Sequence, residues 1–168
     1  MPFQIVQNDI TKMSVDAIVN AANEALQYGG GVCGAIFFAA GATKLQAACN
    51  AIGRCKVGQA VITPGFDLPA TNIIHTVGPI WHGGTSGEEQ LLKDCYSNSL
   101  LLAKQHDCAS IAFPLISSGI YGYPKENALQ IAISMIRDFL LQNDMMVYLV
   151  LYDATSFALG EQILSANE

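Results

Sequence analysis

The sequence predicts an α/β fold in which a largely parallel or mixed sheet is covered by helices on both faces. Short, nearly continuous apolar runs alternate with longer stretches at helical spacing, the pattern of strands buried on both sides. Two glycine-bearing loops each follow such a run and precede a helix. Of the 168 residues, 51% are hydrophobic and 13% charged, enough to bury a sizeable core. The chain reads as one domain, 1–168, without repeat, linker or low-complexity tract.

Six runs read as strands: FQIV at 3–6, AIV at 17–19, AVIT at 60–63, NIIHTV at 72–77, SIAF at 110–113 and MVYLVL at 146–151. Helices fill the gaps. The first, over 32–40, follows Gly29, Gly30 and Gly31, and Cys49 and Cys55 flank a later helix end. The stretch 88–105 carries Leu91, Leu92, Cys95, Leu100, Leu101 and Ala103 at broadly helical spacing, with Glu88 and Glu89 favourably placed in its first turn. The next helix, 124–141, opens with Pro124 at its first helical position, and a terminal helix spans 156–164. In such sheets ligands gather beyond the carboxyl ends of the strands, where both glycine loops lie.

The stretch from Asp16 to Gly41, a short strand, two asparagines, three glycines and a helix start, describes an anion cradle. Three successive glycines let backbone N–H groups approach a ligand without Cβ interference, and the helix that follows turns its positive N-terminal end to the same space. The second loop, Ser117 to Gly122, adds two hydroxyls, further free N–H groups and the aromatic Tyr121, suited to one side of a sugar or base. Either loop alone is an ordinary strand-to-helix connection; together they point to a phosphate or pyrophosphate.

The net charge of −6, with Lys and Arg scattered singly, argues against direct nucleic-acid binding. No apolar run approaches the roughly 18 to 20 residues of a membrane span. With no secretory signal visible, the expectation is a cytoplasmic protein. Five cysteines without a CxxC pair argue against a disulfide framework and a thiolate zinc site. No metal site and no cofactor are expected. A P-loop NTPase is disfavoured because no Lys-Ser/Thr pair follows either glycine loop. His75 reads as a packed strand histidine, His106 as a helix-end residue, and the loop 81–87, WHGGTSG, as a mobile solvated segment carrying His82.

Four blocks, VNAAN at 19–23, GGGVCGAI at 29–36, IIHTVGP at 73–79 and PLISSGIYGYP at 114–124, with NDIT at 8–11 as a fifth, resemble the macrodomain family in order and spacing over nearly the whole chain. The resemblance implies a three-layer α/β/α sandwich around a central mixed, mostly parallel sheet, and a cleft for ADP-ribose. It implies that Asp9 accepts the adenine amino group with the Ile10 backbone beside it, and that Tyr152 stacks on the adenine face. Gly31, Val32, Cys33 and Gly34 would hold the pyrophosphate from one side, and Ser117, Ser118, Gly119, Ile120 and Tyr121 from the other, with Ala22 and Gly30 also among the ligand-binding residues. Asn23 would bind the distal ribose hydroxyls and act as the principal catalytic residue. For Asn20 a structural role is expected, its amide satisfying loop backbone groups.

At position 33 the chain departs from the family's mono-ADP-ribosyl hydrolase branch, whose loop reads GGGGVDG with an aspartate proposed to orient or activate water. Cys33 stands there, Tyr28 replaces the first glycine, and Phe37 replaces a common histidine. A thiol with an ordinary pKa of roughly 8.5 is mostly neutral at pH 7 and a poor substitute for a carboxylate base, so Cys33 is the weaker catalytic candidate. Viral macrodomains with GVC at this place are viewed as hydrolases, which implies that a substrate phosphate and the asparagine can position the water. The expected activity is hydrolysis of ADP-ribose esters, on mono-ADP-ribosylated acidic side chains or O-acyl-ADP-ribose. A non-catalytic ADP-ribose-binding reader is the alternative, and ADP-ribose 1″-phosphate phosphatase the third. ADP-ribose or an ADP-ribosylated protein is the expected partner, ADP-ribose being ligand or product, and the chain is expected to act as a monomer.

Overall fold

A computed structural model describes residues 2–167, and among these the chain forms six strands and five α-helices. The strands are β1 (Phe3–Gln7), β2 (Ala17–Ala21), β3 (Ala60–Pro64), β4 (Asn72–Thr76), β5 (Ser110–Phe113) and β6 (Met146–Leu151). They pair in the order β1-β6-β5-β2-β4-β3, with β3 alone antiparallel to its neighbour. The helices are α1 (Gly31–Ala40), α2 (Ala42–Ile52), α3 (Glu88–Gln105), α4 (Lys125–Leu140) and α5 (Ala154–Ala166). The mixed, mostly parallel sheet expected from the sequence is therefore present.

Alternation along each strand divides the apolar side chains between two cores. Val19, Ile74, Ile111, Phe113, Val147 and Leu149 face α3, α4 and α5, whereas Ile18, Ile73, Ala112 and Val150 face α1 and α2. Both faces are buried, so the polar half of the usual alternation is missing and the strands read as continuous apolar runs. This is the α/β/α sandwich.

Helix boundaries differ from expectation by one or two residues, with local reasons at two of them and at the α1–α2 junction. Pro124 is the cap before α4, with φ −55° and ψ 127°, because its carbonyl accepts from Ala128 while its own backbone is still extended. The last helix starts at Ala154, since the Asp153 carboxylate accepts from Ser156 N at 2.8 Å and caps it. The complete helix α2 follows α1 after one residue: Gly41, at φ 100°, ends one helix and begins the other, and the axes turn by 110°. No single helix among the described residues is long and apolar enough to cross a membrane.

Candidate functional site

The carboxyl ends of the five parallel strands point the same way, and every segment singled out as a site leaves one of them. Along the sheet, β1 and β6 supply Asp9 and Tyr152, β5 supplies the second glycine loop, β2 the first, and β4 leads to Gly78. From β1 to β2 is three interstrand steps, or roughly 14 Å at ~4.8 Å each. A site built on those ends is elongated.

At the β1 edge, Asn8 N donates to Leu151 O at 3.1 Å, which brings Asp9 and Tyr152 to one place. Asp9 Oδ1 accepts from Thr11 N at 2.9 Å and from Thr11 Oγ1 at 2.7 Å, capping the single 3₁₀ turn Ile10–Lys12. Oδ2 is left over for another donor. The Ile10 side chain is buried in the core beneath α1. Tyr152 is 80% exposed, so core packing does not account for it.

The first loop is held by its own side chains. Asn23 Nδ2 donates to Gln27 O and Asn23 Oδ1 accepts from Gln27 N, both at 2.9 Å, so the amide clips the loop closed and keeps one hydrogen and one lone pair for a ligand. From α2, Gln46 accepts from Tyr28 N at 2.9 Å and donates to Leu26 O at 3.1 Å. Helix α1 then begins at Gly31 (φ 58°) with no side-chain cap on Gly30, leaving its first N–H groups free of intrahelical partners. A side chain at Gly34 would run into the Gly29 carbonyl, so glycine is required there by close approach. Tyr28 and Phe37, both departures from the hydrolase branch, contact each other with ring centroids 5.3 Å apart. The two changes form one packing unit.

Asn20 has a structural role, but its partner differs from expectation: it serves the core and not the loop backbone. Its Nδ2 lies 3.0 Å from His75 Nδ1 and 3.8 Å from Cys33 Sγ, and His75 Nε2 lies 2.9 Å from Thr63 Oγ1. With the amide so oriented, His75 Nδ1 is the acceptor and Nε2 carries the proton. Burial pushes the His75 pKa down to about 4, so the ring is neutral. Cys33 is also buried, and its thiol contacts Gln27 O at 3.7 Å. Burial raises its pKa, outweighing the lowering by Asn20 and the Gly29 backbone. The thiol stays protonated.

The second loop is anchored from the other sheet face. Tyr96, fully buried on α3, donates to Pro114 O and accepts from Ile116 N, both at 3.3 Å, fixing the backbone just before Ser117. Ser117 is buried at φ 67°, a left-handed conformation uncommon for a serine, and its Oγ has no hydrogen-bond partner among the described residues. Ser118 Oγ turns away to Leu115 O at 3.0 Å. Ile120 stands 93% exposed on the lip.

The loop 81–87 is tied down. Glu88 is 1% exposed and accepts from His82 N and Gly84 N at 2.9 Å and from Ser86 N at 2.6 Å. The His82 backbone bond, followed by those within the turn, holds its pKa down at about 2 against the opposing effect of burial. The expectation of a mobile segment overlooked this carboxylate, whose three partners lie within six residues.

Between the two glycine loops lies a cavity of about 210 Å³. It brings together Ala22, Asn23, Gly30, Gly31, Val32 and Cys33 with Ser117, Gly119, Ile120 and Tyr121. Asp9, Ile10, Gly34, Ser118 and Tyr152 do not line it. No charged side chain does either, so any anion there meets backbone N–H groups, amide and hydroxyl dipoles and the α1 terminus. Sequence reasoning placed Gly29 in the cradle and missed Ala21, Gly78 and Leu115 as lining residues. A side chain at Gly78 would overlap Ser117 Oγ and Ile116, so this glycine lets β4 and the second loop meet. Its signal was its place in the IIHTVGP block, directly after a strand.

The Macro domain family model matches residues 19–132. The chain is 48% identical over 166 residues to an O-acetyl-ADP-ribose deacetylase of Escherichia coli, covering 96% of this chain and 94% of that protein. The Oceanobacillus iheyensis macrodomain, solved with ADP, superposes with a TM-score of 0.93 at 43% identity, covering 97% of this chain and 90% of that one. The Trypanosoma brucei macrodomain in complex with ADP-ribose gives 0.89 at 34% identity, covering 95% and 68%. Sequence blocks, sheet order and the paired loops agree with these likenesses, and the chain belongs to the macro domain family.

Proposed function

We propose that this protein binds ADP-ribose along the cleft and hydrolyses an ester of its distal ribose, on mono-ADP-ribosylated acidic side chains or O-acyl-ADP-ribose. The observation that carries the reading is the long row of strand ends, from Asp9 and Tyr152 to Asn23, with an uncharged, N–H-rich cradle between two glycine loops. The relatives named for deacetylation and the neighbours solved with ADP and ADP-ribose support it.

Adenine stacks on exposed Tyr152 and donates its amino group to Asp9. The pyrophosphate lies against the free N–H groups of α1 and the second loop, with Ser117 Oγ as a further donor. Asn23 uses its remaining hydrogen and lone pair on the distal ribose. For an O-acyl ester, water oxygen adds to the acyl carbon. The bond from that carbon to the ribose oxygen breaks, and the ribose oxygen keeps the electron pair and takes up a proton. Cys33 is neutral and cannot act as the base, so water is oriented by Asn23 and a substrate phosphate oxygen.

A second reading, a module that binds ADP-ribose without turnover, is favoured by that same neutral thiol. Both predict a thermal shift with ADP-ribose. Only the enzyme releases ADP-ribose from an ester-linked substrate, under conditions where an aspartate-bearing relative does so. Saturable binding without release would leave the module; absence of binding would overturn both.

A further inference from the structure

A second cavity, of about 230 Å³, lies next to the first and shares Gly78 and Tyr121 with it. Glu24, the residue after Asn23, stands on its rim. We propose that this cavity receives the acyl group of the substrate and selects neutral chains of propionyl or butyryl size. The inference rests on the ester-hydrolase reading above and names the acyl class that the reading leaves open.

Position is the first support. Asn23 lines the first cavity and its chain neighbour lines the second, so a substituent leaving the distal ribose on the Asn23 side enters the second. Gly78 makes the shared boundary thin: it has no side chain, and none would fit.

The walls are the second. Val57, Val77, Pro79, Ile80 and Leu91 are apolar, which suits methylene groups. Glu88 also lines the space, yet both its oxygens accept from the 81–87 loop, so it presents negative charge without a free donor. Glu24 adds a second carboxylate, partly neutralised by Arg54 at 3.6 Å, and His82 and Tyr121 are the remaining titratable groups. An acyl chain ending in a carboxylate would meet this field unfavourably. Size is the third: the cavity falls below the ~300–1,000 Å³ of pockets that enclose drug-sized ligands, so a short chain fills it and a long one emerges past half-exposed Ile80.

The test compares kcat/KM for O-acetyl-, O-propionyl-, O-butyryl- and O-succinyl-ADP-ribose on the full chain, together with calorimetric binding of the matching non-hydrolysable N-acyl analogues. The expected result is a rise of roughly fourfold per methylene, what burying one CH₂ yields, and a fall of at least tenfold for succinyl. Leu91→Phe, which fills the cavity, should abolish the butyryl preference. Ile80→Trp, at an exposed rim position, should reduce butyryl selectivity without touching the core. Esters cleaved with a flat profile, or a profile untouched by both variants, overturn the acyl cavity and spare the hydrolase. Analogues bound with the predicted preference but no ester cleaved overturn the hydrolase and keep the cavity; analogues bound without preference and no ester cleaved overturn both.

Discussion

The two glycine loops face each other across one cavity, yet they are held in different ways. The first is fastened along its length: Asn23 clips Gln27, Gln46 reaches in from α2, and Asn20 links Cys33 to buried His75. The second is fastened at its base by Tyr96, carries a strained Ser117 and leaves Ile120 standing in solvent. One loop is therefore a fixed platform for anions, and the other is a cover with an anchored root. Binding energy depends on the first being right before the ligand arrives, and on the second adapting to it.

The largest effect should come from breaking the platform. Gly34→Ala places a methyl against the Gly29 carbonyl, where backbone must move, whereas an added methyl at Gly119 in the second loop meets nothing within 4 Å. Gly34→Ala should weaken ADP-ribose binding at least tenfold and destabilise the fold by about 1–3 kcal/mol. Gly119→Ala should stay within about threefold in affinity, the scale of a few tenths of a kcal/mol for an unopposed surface change. Calorimetric titration with urea unfolding reads both; equal losses would erase the distinction between platform and cover.

Acid should separate the loops next. His75 has a folded pKa near 4, below its unfolded value of 6.5. Between those limits the unfolded chain binds the extra proton, so stability is intact above pH 6.5 and is lost as pH falls towards 4. From pH 7 to 4.5 this amounts to roughly 2–3 kcal/mol. A protonated ring would also donate from Nδ1, facing the Asn20 amide hydrogens, and would force that amide to turn away from Cys33. Amide exchange at pH 4.5 should therefore rise in residues 27–34 before it rises in 117–121. His75→Gln should flatten the pH dependence of unfolding in that window; an unchanged slope would assign it to other groups.

Most of the strand positions were legible because both sheet faces are buried, which turns each strand into an apolar run, and because the family blocks coincide with the strand ends. Asn23, Ser117 and the glycines were legible for the same reason. Glu88 was not: a glutamate in a helix's first turn looks the same whether it faces solvent or gathers three N–H groups from the preceding loop. Asn20 was placed with the wrong partner, since His75 lies 55 residues away and only the β2–β4 register brings them side by side. Gly78 looked like part of a motif; its reason is a contact with Ser117 on another strand's loop. What sequence spacing cannot carry is the identity of a partner supplied by a neighbouring strand.

The two anchors should have the smallest effects on affinity relative to Gly34→Ala, and their order sharpens the comparison further. Tyr96→Phe removes the hydroxyl that serves Pro114 O and Ile116 N in a fully buried place, leaving Ile116 N–H without a partner, at about 1–3 kcal/mol. Gln46→Ala removes two bonds to a half-buried segment that water can reach, so about 1 kcal/mol is expected. Affinity should rank the other way. Gln46 holds Leu26 and Tyr28 just before the glycines, so its loss should weaken ADP-ribose binding severalfold, while Tyr96→Phe should spare binding because the second loop can reseat on its ligand. Stability and affinity falling together in both variants would mean that the two loops are held alike.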